Sequence, residues 1–161
     1  MRLAWLAASL VAALMLQSGL GLLAPGQART VDFLLLVVVY CALRQGETTG
    51  MLVGAAAGWI QDVHFGGSVL GLSALTRLLV GYAVGAAGAR LFLVSSGARI
   101  LVLFAATVAD AWIFAGLVGV FGLPLEPLSA AALTVRGAAN AFLGAVGFAA
   151  VDLRSSREVG R

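Results

Sequence analysis

The sequence predicts an all-α integral membrane protein, a compact bundle of six short transmembrane helices, and three observations predict it. Of the 161 residues, 61% are hydrophobic and only 11% are charged, whereas a soluble domain carries roughly 25% charged residues to form a polar surface. The mean hydropathy is +1.05. The apolar residues also form six runs that are separated by short breaks. Lipid must therefore cover the surface that so few charges cannot cover.

The six apolar segments follow one another within one predicted membrane domain, residues 1–161. They span approximately residues 3–23, 31–43, 46–64, 70–94, 98–122 and 128–153. The first is longer than the 7–15 residues of a signal-peptide core, so we expect it to be retained as a helix. The second has about 13 residues, fewer than the ~17 that normally cross a bilayer. Asp32 is placed to cap its N-terminus, but whether this segment fully spans stays open.

The arginines predict the orientation of the chain in the membrane. Six crossings put seven of the ten arginines on the side of the two termini, namely Arg2, Arg44, Arg90, Arg99, Arg154, Arg157 and Arg161. The other side has only Arg29, with Asp32, Asp62 and Glu126 nearby. Under the positive-inside rule both termini are therefore cytoplasmic. We expect Arg44, Arg90 and Arg99 to meet anionic lipid or a partner protein, and this scattered pattern argues against nucleic-acid binding.

The third segment carries glycines at every fourth position: Gly46, Gly50, Gly54 and Gly58. Such residues lie nearly on one stripe of a helix and allow the backbone of another helix to approach closely. One interpretation is packing inside the bundle, with Gly81 and Gly85 of the fourth segment as the mating face. The other is a groove for the transmembrane helix of a partner.

Three charged residues lie inside predicted spans: Arg77, Asp110 and Arg136. A charge at mid-bilayer costs on the order of 2.5–3.5 kcal/mol even on the lenient insertion scale. We therefore expect Asp110 to pair with Arg77 or Arg136 inside the bundle. A pair that sets helix register, a proton or ligand site, and a contact with a partner are all open as roles.

The sequence provides little for catalysis or for metal binding. Asp62 and His64 end the third segment near the predicted outer surface, where Asp62 is placed to cap the next helix or to hold the turn. No nucleophile accompanies them in the sequence, so we expect no enzymatic activity. Cys41 is the single cysteine and His64 the single histidine; we expect Cys41 to be a buried core residue and the protein to hold no metal or other cofactor.

The run from Asp32 to Gly81 resembles the rod shape-determining protein MreD family. The matching features are the short apolar segment ending in Tyr40…Arg44-x-Gly46, the Gly50, Gly54 and Gly58 stripe, the Gln61-Asp62 pair, the Gly71-Leu72-x-Ala74-Leu75 opening of the next helix, and Gly81-Tyr82. Length, number of spans and short tails agree over essentially the whole chain.

This resemblance implies a non-enzymatic scaffold subunit of the bacterial cell-elongation machinery. Members work beside the bitopic protein MreC and connect the actin-like MreB with the peptidoglycan polymerase RodA and its class B penicillin-binding protein. The family is also similar in fold to the substrate-binding subunits of energy-coupling-factor transporters. That similarity implies a cavity near the outer surface, with Asp62, Gly66 and Gly71 at its rim.

The alternative function is that of a substrate-binding subunit of an energy-coupling-factor vitamin transporter. It requires polar side chains that converge on an outer-facing pocket. The sequence offers six candidates for this lining: Asp62, His64, Ser68, Ser73, Thr76 and Arg77. A vitamin usually needs more hydrogen-bonding groups than these, so we favour the scaffold interpretation.

Overall fold

The computed structural model describes residues 2–24, 26, 30–66, 69–91, 96–124 and 129–159. Within these ranges, the backbone but not the side chain is described for residues 2, 3, 90, 91, 96 and 151–159. Six α-helices lie within these ranges. They are α1 (Arg2–Leu23), α2 (Phe33–Gln45), α3 (Glu47–Phe65), α4 (Leu72–Leu91), α5 (Ser96–Val120) and α6 (Ala130–Val159). Each begins within two residues of a segment that the hydropathy pattern predicts.

Four helical stretches are long and apolar enough to cross a membrane. They are Ala4–Leu23, Leu72–Ala89, Gly97–Val120 and Ala130–Ala150. The helix α2 is apolar but has only 13 residues. The helix α3 has 19 residues, but its polar residues and glycines lower its hydropathy. The membrane-protein class is thus confirmed by four candidate spans, while six complete crossings stay a prediction.

The short helix α2 forms the centre of the bundle. It packs against α1, α3 and α4, and it also contacts α5 and α6. Its buried residues are Leu34, Leu35, Val38, Val39, Cys41 and Ala42. They divide between two core clusters, one shared with α1 and α3 and the other with α4, α5 and α6. The expected burial of Cys41 is confirmed.

The glycine stripe of α3 packs against α4, and this pair has the most extensive contact in the described structure. A Cβ atom built on Gly50 would lie 2.4 Å from the carbonyl oxygen of Gly81, and one built on Gly81 would lie 2.1 Å from that of Gly50. Likewise, a Cβ on Gly54 would lie 2.1 Å from the carbonyl oxygen of Arg77. The atoms that would clash are backbone atoms, which cannot rotate away. The stripe therefore packs inside the bundle, which is the first of the two interpretations that the sequence left open.

One end of the stripe behaves differently from the rest. A Cβ on Gly58 would lie 2.3 Å from the carbonyl oxygen of Ser73, as close as those on Gly50 and Gly54 lie to the backbone of α4. A Cβ on Gly46 would instead meet open space, and Gly46 has a φ of +86°. Because L-residues with a side chain rarely adopt such a φ, Gly46 is needed for the tight connection between α2 and α3, although its backbone also lies against Gly85 of α4.

We expect Gly54→Ala to destabilise the protein because its methyl group would push α3 away from the backbone of α4. Overpacking of this kind typically costs about 1–3 kcal/mol. The measurement is thermal unfolding of the purified protein in detergent. Gly116→Ala is the matched control, since nothing lies within 4 Å of a Cβ built there. Equal melting temperatures for the two variants would contradict the close α3–α4 approach.

Candidate functional site

The N-terminus of α2 lies inside the bundle and not at its surface. Thirteen residues rise about 20 Å, less than the ~30 Å thickness of the hydrocarbon core. At one end of α2 Arg44 and Gln45 are exposed, whereas at the other end Asp32 is only 8% exposed. The helix therefore begins in an apolar environment, where its first backbone N–H groups cannot bond to bulk water.

Three side chains supply the hydrogen bonds that this buried helix end requires. The backbone N–H of Asp32 donates to Asn140 Oδ1 of α6 over 2.9 Å, and that of Phe33 donates to Gln17 Oε1 of α1 over 3.0 Å. The N–H of Leu35 donates to Asp32 Oδ1 over 2.9 Å, which confirms the predicted N-cap. Helices distant in sequence thus converge on the first turn of α2.

A buried ion pair joins Asp32 to Arg77. The guanidinium of Arg77 donates through Nη2 to Asp32 Oδ2, and Arg77 is 1% exposed. The predicted pairing of Arg77 with Asp110 is therefore wrong. The carboxylate of Asp32 accepts the cap hydrogen bond on one oxygen and the hydrogen bond from the guanidinium on the other. The acidic partner of Arg77 is therefore the residue that caps α2 and not a residue of α5.

Asp110 and Arg136 reach the same region from α5 and α6. Asp110 Oδ1, Arg136 Nε and Arg77 Nη1 are buried and have no hydrogen-bond partner. The predicted pairing of Asp110 with Arg77 or Arg136 is therefore not formed as a hydrogen bond at these atoms, although the charges of both arginines act on Asp110. The three charged residues that the sequence places within the spans, Arg77, Asp110 and Arg136, thus lie around one space. Arg77 forms its ion pair with Asp32 and not with Asp110.

That space is a cavity of about 150 Å³. It is lined by Asp32, Gln61, Ser73, Thr76, Arg77, Asp110, Ala111, Phe114 and Arg136. These residues come from the α2 cap and from α3, α4, α5 and α6. The cavity lies at the end of the bundle where α2 and α4 begin and α3 ends, which the predicted topology places toward the outer surface.

The expected rim of Asp62, Gly66 and Gly71 does not line this cavity. Asp62 is buried, and its carboxylate accepts hydrogen bonds from the N–H groups of Gly71 over 2.8 Å and of Ser73 over 3.2 Å. It therefore caps the start of α4, as the sequence predicted. Gly66 and Gly71 have φ values of +70° and +96° and shape the connection between α3 and α4.

Of the six side chains proposed for a vitamin pocket, the structure brings three to the cavity: Ser73, Thr76 and Arg77. His64 lies on the exposed end of α3, where its Nε2 is 3.0 Å from Ser18 Oγ of α1. Ser68 lies outside the described residues. In the described part of the chain no group of acidic, His or Cys residues is arranged to hold a metal.

The opposite end of the bundle holds the cytoplasmic arginines of the predicted topology. The Cζ atom of Arg44 lies 5.7 Å from the ring centroid of Tyr40, and that of Arg99 lies 5.4 Å from the ring of Phe148. The two rings contact each other with centroids 5.0 Å apart. The ring contact therefore joins the end of α2 to α6, and the cation–π contact of Arg99 joins the start of α5 to α6, whereas the contact of Arg44 with Tyr40 lies within α2. The Arg90 side chain, the tail arginines Arg154, Arg157 and Arg161, and Arg2, Arg29 and Glu126 lie outside the described side chains.

Comparison with known proteins bears directly on these observations. The family model of the rod shape-determining protein MreD matches residues 2–133. The chain belongs to the MreD family. Membership connects it with the determination of rod shape in cells, as the resemblance implies. Searches of curated proteins and of solved structures found no match, so the likeness to energy-coupling-factor subunits stays a prediction.

The family match covers all of α1 to α5 and the first turn of α6. Gln17, Asp32, Arg77 and Asp110 lie within it, whereas Arg136 and Asn140 lie beyond residue 133. Sequence reasoning missed Gln17 and Asn140. Both are uncharged polar residues within long apolar segments, and this is the signal that could have identified them, because such side chains commonly hydrogen-bond between membrane helices.

We expect a double-mutant cycle to distinguish the Asp32–Arg77 pair from the Asp110–Arg77 pair. Asp32→Asn or Arg77→Gln alone leaves a buried charge without its partner, which typically costs about 3–5 kcal/mol. The double variant should lose clearly less than the sum of the two, whereas Asp110→Asn with Arg77→Gln should be closer to additive. The measurement is reversible unfolding in detergent. Stronger coupling for Asp110 than for Asp32 would contradict the observed pairing.

Proposed function

We propose that this protein is a non-enzymatic inner-membrane scaffold subunit of the bacterial cell-elongation complex and acts with MreC. The observation that supports the proposal most directly is the family match over residues 2–133. Through MreC the same assembly would include RodA, the class B penicillin-binding protein and MreB. The described helices are joined by short connections, so contacts would be made inside the bilayer and at its two surfaces.

In this proposal all six helices cross the inner membrane and both termini are cytoplasmic. The helix α2 would complete its crossing through the chain segment that precedes it, since its N-terminus is buried within the bundle. The exposed Arg44, and Arg99 beside it at the same end, would then lie at the cytoplasmic surface. A surface of this charge fits anionic lipid or an acidic face of a partner.

The surface that best fits a partner helix is an apolar groove between α1 and α6. It has a volume of about 250 Å³ and a floor formed by α2. Its walls carry small residues, including Ser9, Ala12, Ala13, Gly144 and Gly147. Small residues allow close approach between membrane helices. The glycine stripe of α3 is unsuitable for a partner, since α4 already covers it.

We expect the tagged protein, purified from native membranes in mild detergent, to retain MreC. Mass spectrometry of the co-purified proteins is the measurement, and recovery of RodA and the penicillin-binding protein would extend the assembly. Recovery of a transporter's transmembrane subunit with paired ATPases, without MreC, would refute the scaffold proposal in favour of the transporter alternative.

We expect Gly147→Leu to reduce the amount of co-purified MreC severalfold, because a leucine there would occupy the α1–α6 groove. Nothing lies within 4 Å of a Cβ built at Gly147, so the variant should fold. Gly116→Leu is the matched control on α5, since Gly116 also faces open space. Equal recovery of MreC with both variants would place the partner elsewhere on the bundle.

The topology can be tested separately from the partners. We expect green fluorescent protein fused after residue 161 to fluoresce and alkaline phosphatase fused at the same site to be inactive, because the first folds in the cytoplasm and the second requires the periplasm. Fusions in the connection between α3 and α4 should give the reverse result. Active phosphatase at the C-terminus would exclude a cytoplasmic C-terminus and so argue against six crossings.

A further inference from the structure

The cavity at the N-terminus of α2 brings together two carboxylates and two guanidiniums: Asp32, Arg77, Asp110 and Arg136. Their formal charges cancel. Within the described part of the chain, Asp32 and Arg77 form a direct ion pair. Asp110 of α5 and Arg136 of α6 add one negative and one positive charge to the cavity wall.

Three buried atoms of this set lack a hydrogen-bond partner. They are two donors, Arg77 Nη1 and Arg136 Nε, and one acceptor, Asp110 Oδ1. They belong to α4, α6 and α5, and Arg77 is 1% exposed. Buried polar groups in native proteins almost always have partners, and an unpartnered charged group is especially costly. The three atoms therefore need hydrogen-bond partners that the described residues do not supply, and water or a bound molecule in the cavity can supply them.

The cavity is large enough for a small molecule. Its volume is about 150 Å³, well above the roughly 10–15 Å³ that is needed to hold one water. Ser73 and Gln61 add polar side chains to the wall, whereas Ala111 and Phe114 provide an apolar part. A bound molecule can thus be both hydrogen-bonded and held by packing.

The balance of charge limits what the molecule can be. An anion alone would satisfy the two guanidiniums but would lie beside Asp110 and Asp32, and a cation alone would face Arg77 and Arg136. Either would leave one excess charge in a site of low dielectric, which is unfavourable. A molecule with no net charge avoids this, and one with a negative and a positive end also matches the two donors and the acceptor in charge.

We propose that this cavity binds a small zwitterionic group with an N–H donor. Its carboxylate or phosphate oxygens accept hydrogen bonds from Arg77 Nη1 and Arg136 Nε, and its ammonium donates to Asp110 Oδ1. Two sources offer this chemistry: a soluble amino acid-like molecule and the head group of phosphatidylethanolamine. The proposal does not depend on the identity of the protein's partners.

The first experiment measures binding of soluble probes to the full chain, purified in a maltoside detergent whose head group is uncharged. Isothermal titration uses glycine and glycerophosphoethanolamine as zwitterionic probes; the phosphodiester of the second carries one negative charge, so both probes have no net charge. Betaine is the decisive control, since it has the same charges as glycine but no N–H to donate to Asp110. Acetate and methylammonium test each charge alone. We expect one zwitterionic probe, or both, to bind at least tenfold more tightly than betaine and than either single-charge probe.

The second experiment tests the lipid source. The protein is reconstituted with equal amounts of phosphatidylethanolamine and phosphatidylcholine and analysed by native mass spectrometry. Phosphatidylcholine has no N–H, so a lipid-derived ligand predicts selective retention of phosphatidylethanolamine. Binding of a soluble probe without this selectivity assigns the site to a soluble zwitterion, and lipid selectivity assigns it to the head group.

Variants connect the binding to the cavity. Asp110→Asn and Arg136→Gln should each weaken zwitterion binding, or lipid selectivity, at least tenfold, whereas Arg99→Gln at the opposite end should leave it unchanged. If the cavity variants do not fold, the comparison of glycine with betaine on the unmodified protein still decides. Equal binding of glycine and betaine, or no binding of either, together with equal retention of the two lipids, would overturn the proposal, because nothing in the cavity would then require an N–H donor.

Discussion

The first turn of α2 is the constraint on which the rest of the structure depends. A helix that starts inside an apolar bundle exposes backbone N–H groups where no bulk water can bond to them. In this chain Gln17, Asn140 and the Asp32 cap supply the partners. The side chains come from α1, α6 and the start of α2, so satisfying one helix terminus also fixes the positions of two outer helices.

The same terminus explains why charged residues occur in the spans. Asp32 accepts a hydrogen bond from the start of α2 and thereby places a buried carboxylate within the bundle, and Arg77 of α4 neutralises it. The close α3–α4 contact brings the backbone of Arg77 against Gly54, so the glycine stripe helps to fix the position from which the arginine side chain extends. Packing and electrostatics thus depend on each other, because a displaced α4 would separate the ion pair.

Use of the α3 glycines inside the bundle also limits where partners can bind. A face already covered by α4 offers no groove, so a partner would bind at another surface, such as the apolar groove between α1 and α6. Of the four candidate spans, α1 is the least buried, since only 11% of its apolar stretch is buried. This peripheral helix packs mainly on α2 and leaves the apolar groove between α1 and α6 open.

By itself, the sequence determined the membrane class, the number and approximate limits of the helices, the Asp32 cap and the family resemblance. These follow from local pattern, since apolar runs, Gly spacing and an Asp before a helix act over a few residues. Only the tertiary structure decided that Arg77 pairs with Asp32, that Asp62 faces the backbone of α4 and not a cavity, and that Gln17 and Asn140 meet at α2. Such partners depend on helix rotation and depth, and these are set by packing between segments far apart in the chain.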